Sequence, residues 1–406
     1  MKDFESYGIL YPMGYKGVGI HSRIKKKKKD LALLYSEAPC TASGTFTKNL
    51  VKAAPVLICE KHIKGTIRAL VVNSGNANAC TGETGMENAL KMVAQTASEL
   101  GVQEEEVLIA STGVIGQQLP IENILQGITE AAGLLGDEKE HGEGAAEAIM
   151  TTDTFKKMFT SEFQHEGKEI RLGGICKGSG MIHPNMATLL GFVTTDASID
   201  KDLLDEIVRD GVNKSFNSIT VDGDTSTNDM VVVLANGASG TPKITDKESE
   251  LYALFREQLT TILKKMAKSI VIDGEGATKF IEVRIKGARN EEDAMIAGKS
   301  VATSSLVKTA AFGEDANWGR ILAAVGYSGI EFNPYETNIY IGSSKGELLV
   351  CEMGMGLAFD EDLAKKILSE RDIYYLVDMA EGKGDAVIYT CDLSYDYVKI
   401  NGSYRS

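Results

Sequence analysis

Proline is scarce in this chain, 7 of 406 residues beside 42 glycines, and cysteine numbers only 6. With so little proline, backbone turns must rely on positions of positive φ, where glycine is at ease. Cys40, Cys59, Cys80, Cys176, Cys351 and Cys391 lie far apart and no C-x-x-C occurs, which excludes a disulfide framework and the usual zinc or redox motifs. Most stand beside apolar residues, as in Leu57-Ile58-Cys59, and read as buried, reduced thiols. No apolar run reaches the ~18 residues of a membrane span. Positive charge is also short: Lys and Arg total 43 against 57 Asp and Glu, a net charge of −14. A phosphate-binding face needs the opposite balance, so no nucleic-acid partner is expected. The opening Met1-Lys2-Asp3-Phe4-Glu5 has neither the basic nor the apolar region of a signal peptide, and a cytoplasmic protein is expected.

What is present is ordinary for a folded protein: 43% hydrophobic and 25% charged residues. At roughly 150 residues per domain the length implies two or three domains, with a core large enough to need no staples. There is no repeat and no low-complexity linker. The run Lys25 to Lys29 is the one charge block, and it reads as a solvated strand or edge guarded by lysine.

Strands and helices interleave. Arg68 to Asn73 reads as a short strand ending in a turn-rich Asn73-Ser74-Gly75-Asn76-Ala77-Asn78. A helix should follow, with Thr84 and Glu87 at capping-box spacing and Met86, Leu90, Val93, Ala97 and Leu100 facing inward. Val107 to Ala110 reads as a buried strand closed by a turn at Ser111-Thr112-Gly113. Leu251, Phe255, Leu259, Ile262, Leu263 and Met266 mark a long amphipathic helix, while Ile281, Val283 and Ile285 alternate as in a half-solvated strand. Asp360 to Ser369 reads as a helix with Leu363, Ile367 and Leu368 inward. The class is α+β in layers.

Several catalytic signatures fail on inspection. His165-Glu166-Gly167-Lys168-Glu169 has Glu where a zinc-protease helix needs its second His. Asp222-Gly223-Asp224-Thr225-Ser226 opens like a calcium loop, but Thr227 and Val233 replace its Gly and bidentate Glu. Gly342-Ser343-Ser344-Lys345-Gly346 fits a nucleophile elbow, yet it lies between two strand-like runs and reads better as a hairpin turn. The five histidines have no metal spacing, no metal is expected, and no dinucleotide or Walker glycine loop occurs. The glycine-rich stretch from Gly174 to Asp196, on spacing alone, is a surface loop entering a buried strand at Thr188.

Within that stretch, Pro184-Asn185-Met186-Ala187-Thr188-Leu189-Leu190-Gly191-Phe192 resembles the autocatalytic cleavage site of the ornithine acetyltransferases, or bifunctional glutamate N-acetyltransferases. The resemblance spans nearly the whole chain. It returns at Val72 to Gly82, at Ala110-Ser111-Thr112-Gly113-Val114-Ile115-Gly116, at Ile149 to Thr154 and at Thr220 to Asp229. Further matches are Asp273 to Lys279, Leu306 to Thr309, Asn317 to Arg320, and Asn401-Gly402-Ser403-Tyr404-Arg405-Ser406. The family would imply an αββα-type sandwich with a smaller C-terminal α/β domain at about 280–406. It would also imply a chain cut into an alpha segment, 1–187, and a beta segment, 188–406, that associate as a heterotetramer of two alpha and two beta.

The implied chemistry is that of an N-terminal nucleophile. A threonine hydroxyl needs a base, and a freed Thr188 carries its own α-amine, with a reference pKa of roughly 7.7–8.0. The resemblance implies that Thr188 attacks the Ala187 carbonyl to cut the chain. It then takes acetyl from N-acetyl-L-ornithine and passes it to L-glutamate, a step of arginine biosynthesis. By the same resemblance Thr112 and the Gly113 amide form the oxyanion hole. Thr151, Lys177, Thr188, Glu275, Asn401 and Ser406 contact substrate, Lys177 offering a cation to an α-carboxylate and Glu275 an anion to an ammonium. The family commonly ends in Thr where this chain has Ser406, which keeps the hydroxyl. Lys308, Asn317 and Trp318 belong to matching segments without an assignable role. No bound cofactor is implied, and acetyl-CoA stays open as a co-substrate. Two other readings remain: an N-terminal-nucleophile aminopeptidase or amidase of related fold, and an uncleaved binding or scaffold protein.

Overall fold

The computed structural model describes residues 5–183 and 189–403. Its first half is an eight-stranded sheet built on one long, bent strand. The strands are β1 (Tyr15–Ile20), β2 (Leu31–Phe46), β3 (Thr66–Asn76), β4 (Val107–Val114), β5 (Lys157–His165), β6 (Lys168–Lys177), β7 (Leu190–Thr195) and β8 (Met230–Ala235). Their order is β4-β3-β2-β8-β7-β6-β5, with β1 also on β2. Residues Leu31 to Tyr35 of β2 pair with both β1 and β3, while Thr41 to Phe46 pair with β8. Between them the β2–β3 register slips, and Pro39 falls in that slip, where a residue without an N–H costs no ladder bond. β2 thus passes from one layer to the other.

Alternation decides which face each strand buries. Leu190, Phe192, Met230, Val232 and Leu234 join the core shared with β1–β3, whereas Val193, Val231, Val233 and Ala235 join a second core beneath the helices α5 and α6. The helices are α1 (Ala54–His62), α2 (Gly82–Leu100), α3 (Ile121–Ala132), α4 (Lys139–Ile149), α5 (Lys201–Asn213) and α6 (Glu250–Ile272). Helices α1–α3 cover the β1–β4 layer and α5–α6 the β5–β8 layer, giving helix, sheet, sheet, helix. The parallel pair β7–β8 is buried on both faces along its whole length, which is why both strands are almost continuously apolar.

A second, six-stranded sheet follows, with a core of its own. Its strands are β9 (Phe280–Ala288), β10 (Asn338–Ser343), β11 (Gly346–Glu352), β12 (Met355–Gly356), β13 (Asp372–Asp378) and β14 (Gly384–Cys391), in the order β12-β11-β10-β13-β9-β14. Helices α7 (Glu291–Thr303), α8 (Ser305–Phe312), α9 (Trp318–Gly326) and α10 (Glu361–Leu368) accompany it, and α11 (Tyr395–Gly402) closes the described chain. Ile281, Val283 and Ile285 point inward as their alternation requires. β10 and β11 form a hairpin around Ser344-Lys345, so the G-x-S-x-G run is a turn. No helix among the described residues is long and apolar enough to cross a membrane.

Four local expectations need correction. The segment after Ala110 is not a turn: β4 runs on to Val114, because Ser111, Thr112 and Gly113 pair in parallel with Asn73, Ser74 and Gly75. The same pairing carries β3 through Asn76. Helix α2 starts at Gly82 rather than at a Thr84–Glu87 box, since the Thr81 hydroxyl donates to Asn78 and a side chain at Gly85 would collide with it. Its buried face carries Met92, while Leu90 is 46% exposed. The lysine run is a loop between β1 and β2 rather than a strand, folded around the buried Asp30 carboxylate. Asp30 accepts from the amides of Ser22, Ile24 and Lys25. Lys26 to Lys28 face water, but Lys25 turns inward and donates to the Met150 carbonyl at 2.6 Å.

Candidate active site

The ends of β4 and β6 and the loop after α6 meet at a cavity of about 310 Å³. Thr112, Gly113, Thr151, Lys177, Glu275 and Asn401 all line it. Six residues spread over 290 positions of sequence are thereby brought together. Thr188, Ala187 and Ser406 lie outside the described residues. Leu189 and Leu190, next in the chain, are buried in the cavity wall, and Leu190 pairs with Lys177 across β6–β7.

Thr112 and Gly113 owe their position to a close approach of two strands. Gly113 has φ +131°, and a Cβ there would stand 2.3 Å from the Gly75 carbonyl carbon. Only glycine fits both the dihedral and the space. The β3–β4 register slips at Gly75 and Asn76, directly beside this pair. Asparagines then satisfy the irregular backbone. Asn228 donates to the carbonyls of Ala77 and Ser111 at 2.6 and 2.9 Å, and Asn76 to those of Gln117 and Gln118, both at 3.1 Å.

Lys177 closes β6 with its ammonium in the protein, donating to the Thr112 hydroxyl oxygen at 3.2 Å. Burial pulls it below the ordinary lysine value, and Asp153 is the strongest charge opposing that shift. Glu275 follows α6, its amide donating to the Ser179 carbonyl at 2.8 Å and its carboxylate accepting from the Asn401 side-chain amide at 2.8 Å. A Cβ on Gly180 would meet that carboxylate at 2.3 Å, so the glycine is what lets the loop pass Glu275. Thr151 is half-buried, and its neighbour Thr152 shares a 2.6 Å hydrogen bond with Ser179.

The chain approaching position 184 is held by the motif that resembled a calcium loop. Asp222 accepts from the amides of Met181 and Ile182 at 2.6 and 2.8 Å, and Thr220 and Thr225 donate to the carbonyls of Ile182 and His183, both at 2.9 Å. Asp222 therefore shapes the backbone ahead of the Ala187–Thr188 junction.

Sequence reasoning missed a buried ionic cluster behind the cavity. Lys157 lies between Asp153, at 2.7 Å, and Asp273, all three inaccessible to solvent or nearly so. Burial alone would raise the Asp153 pKa, but Lys157 and Lys177 outweigh it and hold the carboxyl well below the usual range. Nothing in the spacing distinguishes Lys157 from exposed Lys156 beside it. The unassigned residues also have places. Buried Lys308 donates to Thr390 at 3.1 Å and to the Cys391 carbonyl, joining α8 to β14. Asn317 caps α9, and Trp318 packs on Gly356.

The ArgJ family model matches residues 16–406. The chain belongs to the ArgJ family. The arginine biosynthesis bifunctional protein ArgJ of Caldanaerobacter subterraneus subsp. tengcongensis is 54% identical over 98% of both chains. That of Thermotoga neapolitana is 50% identical over 98% of this chain and all of its own. Among solved structures, the ornithine acetyltransferase of Mycobacterium tuberculosis, complexed with ornithine, is 33% identical. It covers 45% of this chain and 96% of its own, with a TM-score of 0.40. In ArgJ terms, the segments that carried the family resemblance are the ones that converge on the cavity.

Proposed function

We infer that this protein is an acetyltransferase of arginine biosynthesis, moving acetyl from N-acetyl-L-ornithine to L-glutamate. The observation that carries the reading is the gathering of Thr112, Gly113, Thr151, Lys177, Glu275 and Asn401 around one cavity, with Leu189 in its wall. Relatives of known name at 50–54% identity over nearly the full length support it.

The proposed mechanism is ping-pong acyl transfer. Self-cleavage before Thr188 frees an α-amine that serves as general base for the threonine hydroxyl. The hydroxyl attacks the acetyl carbonyl, the Thr112 hydroxyl and Gly113 amide receive the oxyanion, and ornithine departs with the proton. Glutamate enters and its amine takes the acetyl group by the reverse steps. Lys177 spends one of its three donors on an acceptor site of the Thr112 hydroxyl, leaving the hydroxyl hydrogen for the oxyanion. Its other donors suit a substrate α-carboxylate, and Glu275 suits the substrate ammonium, with Asn401 holding it. Two alpha and two beta segments form the proposed assembly, and acetyl-CoA is the proposed second donor. A reducing compartment such as the cytoplasm suits six free thiols, five of them buried.

The test is a denaturing gel and an acetyl-transfer assay on purified protein. Two fragments, 1–187 and 188–406, and N-acetylglutamate are expected; Thr188→Ala should give one folded, inactive chain. Acetate release without transfer to glutamate would instead support the amidase reading, and cleavage persisting in Thr188→Ala would reject Thr188.

A further inference from the structure

Three segments that line the cavity are tied to one pair of buried carboxylates. Asp153 accepts from the Thr151 amide through Oδ2 at 2.9 Å and from the Gly178 amide through Oδ1 at 2.8 Å. Its Oδ1 also accepts from Lys157 Nζ at 2.7 Å. Lys157 reaches in turn to Asp273, the C-cap of α6, which takes the Thr154 amide at 3.0 Å. Thr151 is thus held directly, Lys177 through the next residue, and Glu275 through a carboxylate two residues before it.

The charge count explains why two carboxylates face one lysine. Buried charges persist only when paired, and Asp153 with Asp273 carries one negative charge more than Lys157 balances. Lys177 supplies the missing cation. Its ammonium is buried and touches the neutral Thr112 hydroxyl, so it depends on charges at longer range. Those facing it are Asp153, Lys157, Asp229 and Glu275, with Lys25 from the β1–β2 loop.

We propose that Asp153 is a positioning residue for acetyl transfer: its carboxylate fixes the Thr151 and Gly178 backbones and keeps Lys177 charged beside Thr112. The proposal rests on the acetyltransferase reading above. Asp153 touches no substrate and acts through its neighbours.

The experiment compares the full-length wild type, Asp153→Asn and Asp153→Glu. Lys177 titration is followed by NMR in lysine-labelled protein, assigned by the signal lost in Lys177→Gln, alongside the pH profile of kcat/KM. Asp153→Asn should move the Lys177 titration and the alkaline limb of activity down together by roughly one pH unit or more. At neutral pH its kcat/KM should fall about tenfold or more. Asp153→Glu keeps the charge, so it should retain the wild-type alkaline limb while losing kcat/KM through displaced Thr151 and Gly178. An unchanged Lys177 titration in Asp153→Asn, or wild-type kcat/KM in Asp153→Glu, overturns the proposal. Should Asp153→Asn not fold, Asp153→Glu decides; should neither fold, Asp153 is purely structural and the proposal is rejected. A wild type that transfers no acetyl group would reject the acetyltransferase reading instead, and the NMR titration still decides the charge role.

Discussion

The buried Lys177 ammonium donates to the Thr112 hydroxyl oxygen at 3.2 Å, joining the end of β6 to the end of β4. A hydroxyl that accepts from an ammonium has its own hydrogen free to donate, which is what an oxyanion requires. Thr112→Ala should therefore lower kcat roughly 10²–10³-fold, about 2.7–4 kcal/mol of barrier, with KM little changed. Thr112→Ser should recover most of the loss. Steady-state kinetics on the two variants check this, and an alanine variant affecting KM alone would remove Thr112 from the oxyanion role.

Gly113 is a different kind of position, fixed by space rather than by chemistry. Gly113→Ala places a methyl group 2.3 Å from the Gly75 carbonyl carbon at φ +131°. The strand ends must separate, so stability should fall by roughly 1–3 kcal/mol, and transfer activity should be lost in the folded fraction. Thermal unfolding with an activity assay reads both, and a variant with normal melting and activity would contradict the close approach.

Glu275 is reserved for the amino-acid substrate. Glu275→Gln keeps the shape and a hydrogen-bonding oxygen toward Asn401 but removes the anion that an ammonium needs. KM for ornithine and glutamate substrates should rise while self-cleavage proceeds normally. Blocked cleavage with normal KM in the mature fraction would place Glu275 in processing instead.

Lys25 gives a pH signature outside the reaction. Burial pulls it from 10.5 down to about 8, with Asp30 only partly opposing. Between those values the unfolded chain binds the proton that the folded protein has released, so stability rises with pH across that window. The penalty for the buried charge is present below pH ~8 and is relieved above it. Wild type should therefore gain stability relative to Lys25→Met as pH goes from about 8 toward 10, read by denaturant midpoints. A constant difference would mean that Lys25 titrates normally.

Local patterns carried much of the fold. The apolar periodicity around Phe255 and Leu259 marked α6, the alternation from Ile281 to Ile285 marked β9, and the glycines flanking Ser344-Lys345 marked a hairpin. What failed was decided at a distance. Ser111-Thr112-Gly113 has turn composition, yet strand pairing with Asn73 to Gly75 keeps it extended, and no local pattern records that partner. Leu90 lost its inward place because α2 begins at Gly82 and turns a different stripe to the core. The cavity residues were legible because the matching segments each contain one of them. Lys157 was not, since a buried lysine looks like an exposed one until Asp153 and Asp273 are folded against it.

The central claim is an acetyl group carried covalently on Thr188, and intact-mass spectrometry tests it most directly. Purified protein incubated with N-acetyl-L-ornithine alone should show the 188–406 fragment heavier by one acetyl group, mapped to Thr188 by peptide analysis. Adding L-glutamate should return the fragment to its original mass and release N-acetylglutamate. A fragment that never gains the group while N-acetylglutamate still forms, or an acetyl group mapped to another residue, would contradict the account.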